Sequence, residues 1–208
     1  LMRHFPYEYE SRREVLFYPE KPDRITGDVL EIGPGRGDLL FSLAERFPEK
    51  KFVAIEFLKK RHFKLIKRIE RRGLTNITLI QGRAQIVMPK YFRCGMFNRV
   101  YVMFPDPWPK ERHIPHRLLT VDFISILACV LRAGGDLVVA TDYRPYAEWV
   151  VENCGEVPSL RSIGDPYCEA SDIPDYIPTF FEQKWREEGR DIHYLRYSRE
   201  DIPVSMSR

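Results

Sequence analysis

Short apolar runs alternate with stretches of helical periodicity through most of the chain. Val29-Leu30-Glu31-Ile32 reads as a first strand, because it is mostly branched and apolar and stops at a glycine cluster. Apolar residues then recur at Leu39, Leu40, Leu43, Ala44 and Phe47, the stripe of a core-facing helix. Residues 52–55 read as a second strand. Residues 58–71 read as an amphipathic helix with Leu58, His62, Leu65, Ile66 and Ile69 on one face. Third and fourth strands are expected at 77–80 and 100–104, with a shorter helix between them. A helix follows at 121–130, ended by Ala133-Gly134-Gly135, and a fifth strand at 137–140. Residues 145–152 form a short helix with proline in its first turn. Residues 158–178, rich in Pro, Asp, Ser and Tyr, read as a long loop, and 192–197 as the last strand. This alternation predicts an α/β domain with an open, doubly wound, mostly parallel sheet. Ligands in such sheets sit beyond the carboxyl ends of the strands.

The connection from the first strand to the first helix is Glu31-Ile32-Gly33-Pro34-Gly35-Arg36-Gly37. Glycine lets the backbone take positive φ and approach a ligand closely. The spacing Gly-x-Gly-x-Gly differs from the Gly-x-Gly-x-x-Gly of dinucleotide sites. Glu31, just before the first glycine, suits a cationic ligand group better than a pyrophosphate. Glu56 ends the second strand, where an acid can accept from both ribose hydroxyls. A nucleoside with a charged amino-acid arm, S-adenosyl-L-methionine, fits both acids. The plainer alternative is an ordinary strand–helix turn with an exposed Glu56.

The fourth strand runs into Phe104-Pro105-Asp106-Pro107-Trp108-Pro109-Lys110-Glu111-Arg112-His113. Prolines on both sides of Asp106 stiffen the loop and hold a carboxylate at the strand's carboxyl end. Lys110, Arg112, His113, His116 and Arg117 follow it. Cations beside one rigid acid suit a folded RNA: the cations hold phosphates and the acid meets a base edge. The competing reading is a Pro-rich turn with a surface charge run. His113 and His116 lack further ligands at metal-binding spacing, so no metal is expected.

Composition narrows this picture only a little. The 208 residues suit one domain, and 44% hydrophobic with 30% charged residues excludes a disordered chain. Thirty-three basic against 30 acidic residues leave +3, too little to argue for nucleic acid without knowing where the charges sit. Lys59, Lys60, Arg61, Lys64, Lys67, Arg68, Arg71 and Arg72 crowd the second helix, but on several faces, the usual pattern of a solvated surface. Cys94, Cys129, Cys154 and Cys168 form no Cys-x-x-Cys pair and read as buried or idle thiols of a reducing compartment. No apolar run approaches membrane-span length and the first residues lack a signal-peptide pattern. The expectation is a soluble cytoplasmic protein.

From Gly27 to Tyr197 the chain resembles the class I methyltransferases, and more closely the bacterial tRNA (guanine-N7)-methyltransferases. The Phe104–His113 stretch above carries most of this resemblance, with Thr141-Asp142-Tyr143 and Thr179-Phe180-Phe181-Glu182 in the same order. The resemblance implies a Rossmann-like fold with an antiparallel last strand and one methyltransferase domain over 27–208. It implies methyl transfer from S-adenosyl-L-methionine to N7 of a tRNA guanine, position 46 of the variable loop. It makes Asp106 the catalytic candidate. Glu31, Gly33, Gly35, Gly37, Glu56 and Asp106 become the cofactor set, and Lys110, Asp142, Thr179 and Glu182 the substrate set. Asp142 also reads as a helix N-cap, and Thr179 with Glu182 has capping-box spacing. The enzyme is expected to act as a monomer or homodimer.

Two departures stand out. Relatives carry an acid before Ala84 that meets the adenine amino group, whereas this chain has Arg83. Residues 1–26, read as an RNA-contacting or truncated N-terminal segment, are short for the family. A nicotinamide-dependent oxidoreductase and a catalytically inactive RNA-binding module on the same fold are the competing functions.

Overall fold

A computed structural model describes residues 25–201, so the N-terminal segment expected over 1–26 lies almost wholly outside the described residues. The strands are β1 (Val29–Ile32), β2 (Phe52–Glu56), β3 (Ile77–Gln81), β4 (Phe97–Met103), β5 (Leu131–Thr141), β6 (Leu160–Ser162) and β7 (His193–Arg199). The helices are α1 (Asp38–Arg46), α2 (Lys59–Arg72), α3 (Ala84–Tyr91), α4 (Val121–Val130), α5 (Arg144–Gly155) and α6 (Phe180–Glu187). One seven-stranded sheet has the order β3-β2-β1-β4-β5-β7-β6. The pairs from β3 through β5 are parallel, β7 runs antiparallel to β5, and β6 antiparallel to β7.

Both faces of the central strands are buried, which is why they read as near-continuous apolar runs. The period of two sends alternate side chains into two cores. Leu30, Val53, Val100 and Leu137 pack with Val87 of α3, Ile124 of α4 and Val150 of α5. Ala54, Tyr101 and Val138 pack with Leu40 of α1 and Leu65 of α2. The stretch Glu111–Val130 is apolar enough on average to resemble a membrane span, but it divides into a 3-10 turn and α4, whose Phe123, Ile124 and Leu127 belong to the core.

Four expectations need correction. The glycines at 134 and 135 do not end a helix: β5 follows α4 at once, Leu131 pairs with Phe97, and the register shifts before Asp136 pairs with Arg99. These glycines therefore accommodate a bulge, a signal that looks the same in sequence as a helix stop. The expected loop at 158–178 contains β6 and a 3-10 turn at Ala170–Asp172; β6 has no buried residue to betray it. Helix α6 follows Thr179 where no separate element was expected. Cys94 and Cys129 are disulfide-bonded rather than idle, while Cys154 and Cys168 are free.

Candidate active site

Strand β1 pairs with β2 on one side and β4 on the other, so chain direction across the sheet reverses there. This switch point opens a crevice beyond the carboxyl ends of β1 and β4. The glycine loop leaves β1 at that crevice. Gly33, Gly35 and Gly37 all hold positive φ, at 68°, 57° and 78°. Gly37 donates to the Pro34 carbonyl at 2.7 Å and serves as N-cap of α1. A Cβ there would lie 2.7 Å from the Phe41 ring and 2.8 Å from Leu65, so both backbone and packing require glycine. A Cβ on Gly33 would meet nothing within 4 Å, leaving that part of the loop open to a ligand.

Two acids flank the loop. Glu31 is 4% exposed and Glu56 3%. Glu56 accepts from the Leu58 amide at 2.8 Å through Oε1, but its Oε2 and the Oε2 of Glu31 have no hydrogen-bond partner. Burial pushes the Glu31 carboxyl up to about 8; the charge of Asp38 adds to the rise, the Leu40 amide offsets part of it, and Glu56 adds a little more. Burial also raises Glu56, against the Leu58 amide, Arg61 and the Gly35 and Phe57 amides. Buried carboxylates without partners are costly unless a cation or donor completes them. An ammonium and a ribose diol are such groups, so the residues present fit S-adenosyl-L-methionine. Arg83, the departure noted above, is exposed at the N-cap of α3, with its guanidinium 4.7 Å from the Phe57 ring centre.

Across the switch point, Asp106 is exposed and forms no ion pair among the described residues. Its loop is strained and braced. Phe104 and Trp108, two residues to either side, take positive φ of 51° and 44°. Phe104 donates to the Ala140 carbonyl at 2.8 Å. The buried Arg117 donates to the Pro107 carbonyl at 2.9 Å and lies over the Tyr146 and Trp149 rings. Arg117 thus fixes the loop from within, whereas its sequence neighbours suggested a phosphate contact. Lys110 and Arg112 are exposed. Trp108 packs its ring against His113 and His116, and no metal-holding group occurs among the described residues.

The other expected acids are already engaged. Asp142 pairs with Arg190 at 2.6 Å, and α5 takes Tyr143 as its N-cap, so Asp142 does not cap it. Thr179 caps α6 by accepting from the Glu182 amide at 3.2 Å. Glu182 does not complete a capping box. It is 1% exposed, accepts from the Tyr176 and Tyr194 hydroxyls, and accepts from Arg186 Nε at 3.2 Å. Arg190, Arg186, Tyr176 and Tyr194 were missed in sequence; none carried a local signal of its partner.

With this geometry in place, residues 26–195 match the profile of a family described as "Putative methyltransferase". A tRNA (guanine-N(7)-)-methyltransferase of Nitrosomonas eutropha is 35% identical, over 93% of this chain and 88% of that protein. One of Magnetococcus marinus is 34% identical, over 82% of this chain and 68% of its own. The 16S rRNA methyltransferase KamB superposes with a TM-score of 0.61 at 18% identity, covering 86% of this chain and 90% of that one. A SAM-dependent methyltransferase of Aquifex aeolicus gives 0.57 at 12% identity, covering 82% and 81%. The two solved structures support the fold: a class I methyltransferase sheet.

Proposed function

The chain belongs to the tRNA (guanine-N7)-methyltransferase family, and from that premise we propose that it methylates N7 of a tRNA guanine, position 46 of the variable loop, to give 7-methylguanosine. The observation that carries the reading is the pair of buried acids with unpartnered oxygens beside an open glycine loop, with an exposed Asp106 following the neighbouring strand β4. S-adenosyl-L-methionine, when bound, supplies an electrophilic methyl group on a sulfonium. Glu31 would hold its ammonium and Glu56 its ribose hydroxyls, with the backbone at Gly33, Gly35 and Gly37 free to approach it.

Guanine N7 has an in-plane lone pair and no proton, so no general base is required. Positioning supplies most of the rate. Asp106 accepts from the guanine N1–H and amino group and stabilises the ring as it becomes cationic. Asp106 would also face the cofactor, and its braced loop would restrict the approach of the base to it. Lys110 holds a phosphate. Asp142 assists at the base edge once Arg190 yields it. Thr179 and Glu182 act as positioning residues, fixing the start of α6 beside the glycine loop. The enzyme acts in the cytoplasm, as a monomer or homodimer.

Asp106→Ala tests the assignment. Methyl transfer to tRNA should fall by about 10²–10³-fold or more, with an unchanged melting temperature. Near-normal turnover would rule Asp106 out. Mapping the modified nucleotide on tRNA lacking endogenous methylation tests the position, and methylation at another guanine would overturn it.

A further inference from the structure

Helix α2 is basic at most of its positions, with Glu70 its one acid. Lys59, Lys60 and Arg61 fill the first turn, which holds no acid. Three cations therefore sit at the positive end of the helix dipole, an arrangement that repels itself until an anion arrives. A cavity of about 360 Å³ opens between this helix, the glycine loop and α6. Arg36, Arg61, Lys64 and Arg68 line it, with Leu65 and Phe181 beside them. Arg61, Lys64, Leu65 and Arg68 recur at the spacing of a single helix face, so the charge that looked scattered in sequence converges on one groove.

The four cations divide into two kinds. Arg68 donates to the Arg36 carbonyl and lies 4.0 Å from Asp38. Arg36 lies 3.9 Å from the Phe180 ring centre. These two are braced. Arg61 and Lys64 are exposed and form no hydrogen bond or ion pair among the described residues. Phe180, 39% exposed beside Arg36, offers an aromatic surface to an unstacked base. Two preset cations, two unpaired ones and an exposed ring beside the glycine loop match a strand of RNA backbone.

We propose that this groove binds backbone phosphates of the tRNA substrate, opposite the Lys110 side of the crevice. The proposal rests on the tRNA reading above. A phosphate-bearing polymer suits the groove better than one small anion, because the cationic face extends roughly 10 Å along the helix from Arg61 to Arg68.

The test is the Arg61→Gln/Lys64→Gln double variant of the full chain. A charge-matched control, Lys50→Gln/Lys90→Gln, lies at the opposite end of the sheet, beyond the amino ends of β2 and β4. Binding and methylation of unmodified tRNA are measured across a salt series, and S-adenosylhomocysteine binding by calorimetry. The groove variant should raise the KM for tRNA roughly tenfold and flatten the slope of log K against log salt by about 1.4, two single-strand phosphates lost. Its kcat at saturating tRNA should match wild type, its S-adenosylhomocysteine affinity should fall by less than about threefold through the lost attraction of Arg61 on Glu56, and the control should leave the KM and the salt slope unchanged. A wild-type KM and salt slope in the groove variant overturn the proposal. Equal losses of S-adenosylhomocysteine and tRNA affinity assign the cavity to the cofactor's carboxylate and overturn it too. A wild-type enzyme that binds S-adenosylhomocysteine but no tRNA overturns the substrate reading itself.

Discussion

The acids on the two sides of the crevice are treated in opposite ways. On the β1–β2 side, Glu31 and Glu56 are buried, and each leaves an oxygen without a partner. On the β5–β7–α6 side, every buried acid is answered from within the chain. Glu182 has two tyrosines and Arg186. Asp142, its side chain 16% exposed, has Arg190, and further from the crevice, toward the amino ends of the strands, Asp136 has Arg99 at 3.0 Å and Arg196 at 2.9 Å. Both sides bury charge, which is unfavourable without compensation. One side is completed by the fold and the other awaits a ligand. That contrast locates the cofactor better than the glycine loop alone, since perturbed groups in a cleft are where binding chemistry concentrates.

The largest effect that sharpens the contrast should come from Glu182→Ala. It strands two tyrosine hydroxyls and the Arg186 guanidinium, and should cost about 3–5 kcal/mol of unfolding free energy. Urea titration followed by far-UV circular dichroism measures it. If Glu182→Ala kept wild-type stability while losing tRNA methylation, the acid would be free for substrate and the two sides would no longer differ.

Glu31 should give the next largest effect, with the opposite sign. Its carboxyl is pushed from the ordinary 4.5 up to about 8 in the folded chain. Between these values the folded state holds a proton that the unfolded state has released. Stability of the cofactor-free protein should therefore fall as pH rises through that window, by up to about 1.4 kcal/mol per pH unit from this group. Glu31→Gln removes that slope, so the variant should overtake wild type in stability near pH 8 while binding S-adenosylhomocysteine roughly tenfold more weakly. Denaturation curves at pH 5, 6.5 and 8 decide it; parallel pH dependences in the two proteins would mean that Glu31 is already compensated.

The same group sets a smaller, sharper signal. At pH 7 the carboxyl is mostly protonated in the free enzyme, and pairing with the ligand's ammonium favours its ionised form. Binding of S-adenosylhomocysteine should release just under about one proton per site. Calorimetry in two buffers of different ionisation enthalpy reads this directly. Release of no proton, or an unchanged release in Glu31→Gln, removes the ammonium contact.

What could be read from the chain alone follows this division. The ligand side is written locally: the β1 strand, the glycines at 33, 35 and 37 and the acids at 31 and 56 lie within short, patterned segments. The alternation of apolar residues was enough to place β1 through β4 and the latter half of β5 along the chain. The closed side is written across distance. Arg190 reaches back 48 residues to Asp142, and Arg196 reaches 60 to Asp136. Glu182 draws on segments at 176, 186 and 194, and β6 is held by pairing to β7 rather than by any buried face of its own. The basic groove lies between these cases. Its charges were plain in sequence, but only the fold sets Arg36 against α2.

The smallest expected effect tests the one acid that belongs to both sides. Asp142 stands at the end of β5, near the crevice, yet is paired with Arg190. Arg190 also lies 3.9 Å from the Trp185 ring centre and pairs with Glu188 at 2.9 Å. The arginine side chain is 45% exposed and the aspartate 16%, so water reaches the pair from the arginine side and screens much of its contribution to stability. Arg190→Ala should therefore leave the melting temperature nearly unchanged. If the pair holds Asp142 back from guanine, freeing the carboxylate should lower the KM for tRNA by less than about threefold, an effect of surface-pair size, with kcat unaltered. A rise in KM would mean instead that Arg190 presents Asp142 to the base, and Asp142 would then be completed by the fold as Glu182 is. A large loss of stability would show the ion pair to be a structural tie between α6 and β5, closing the last open acid on that side.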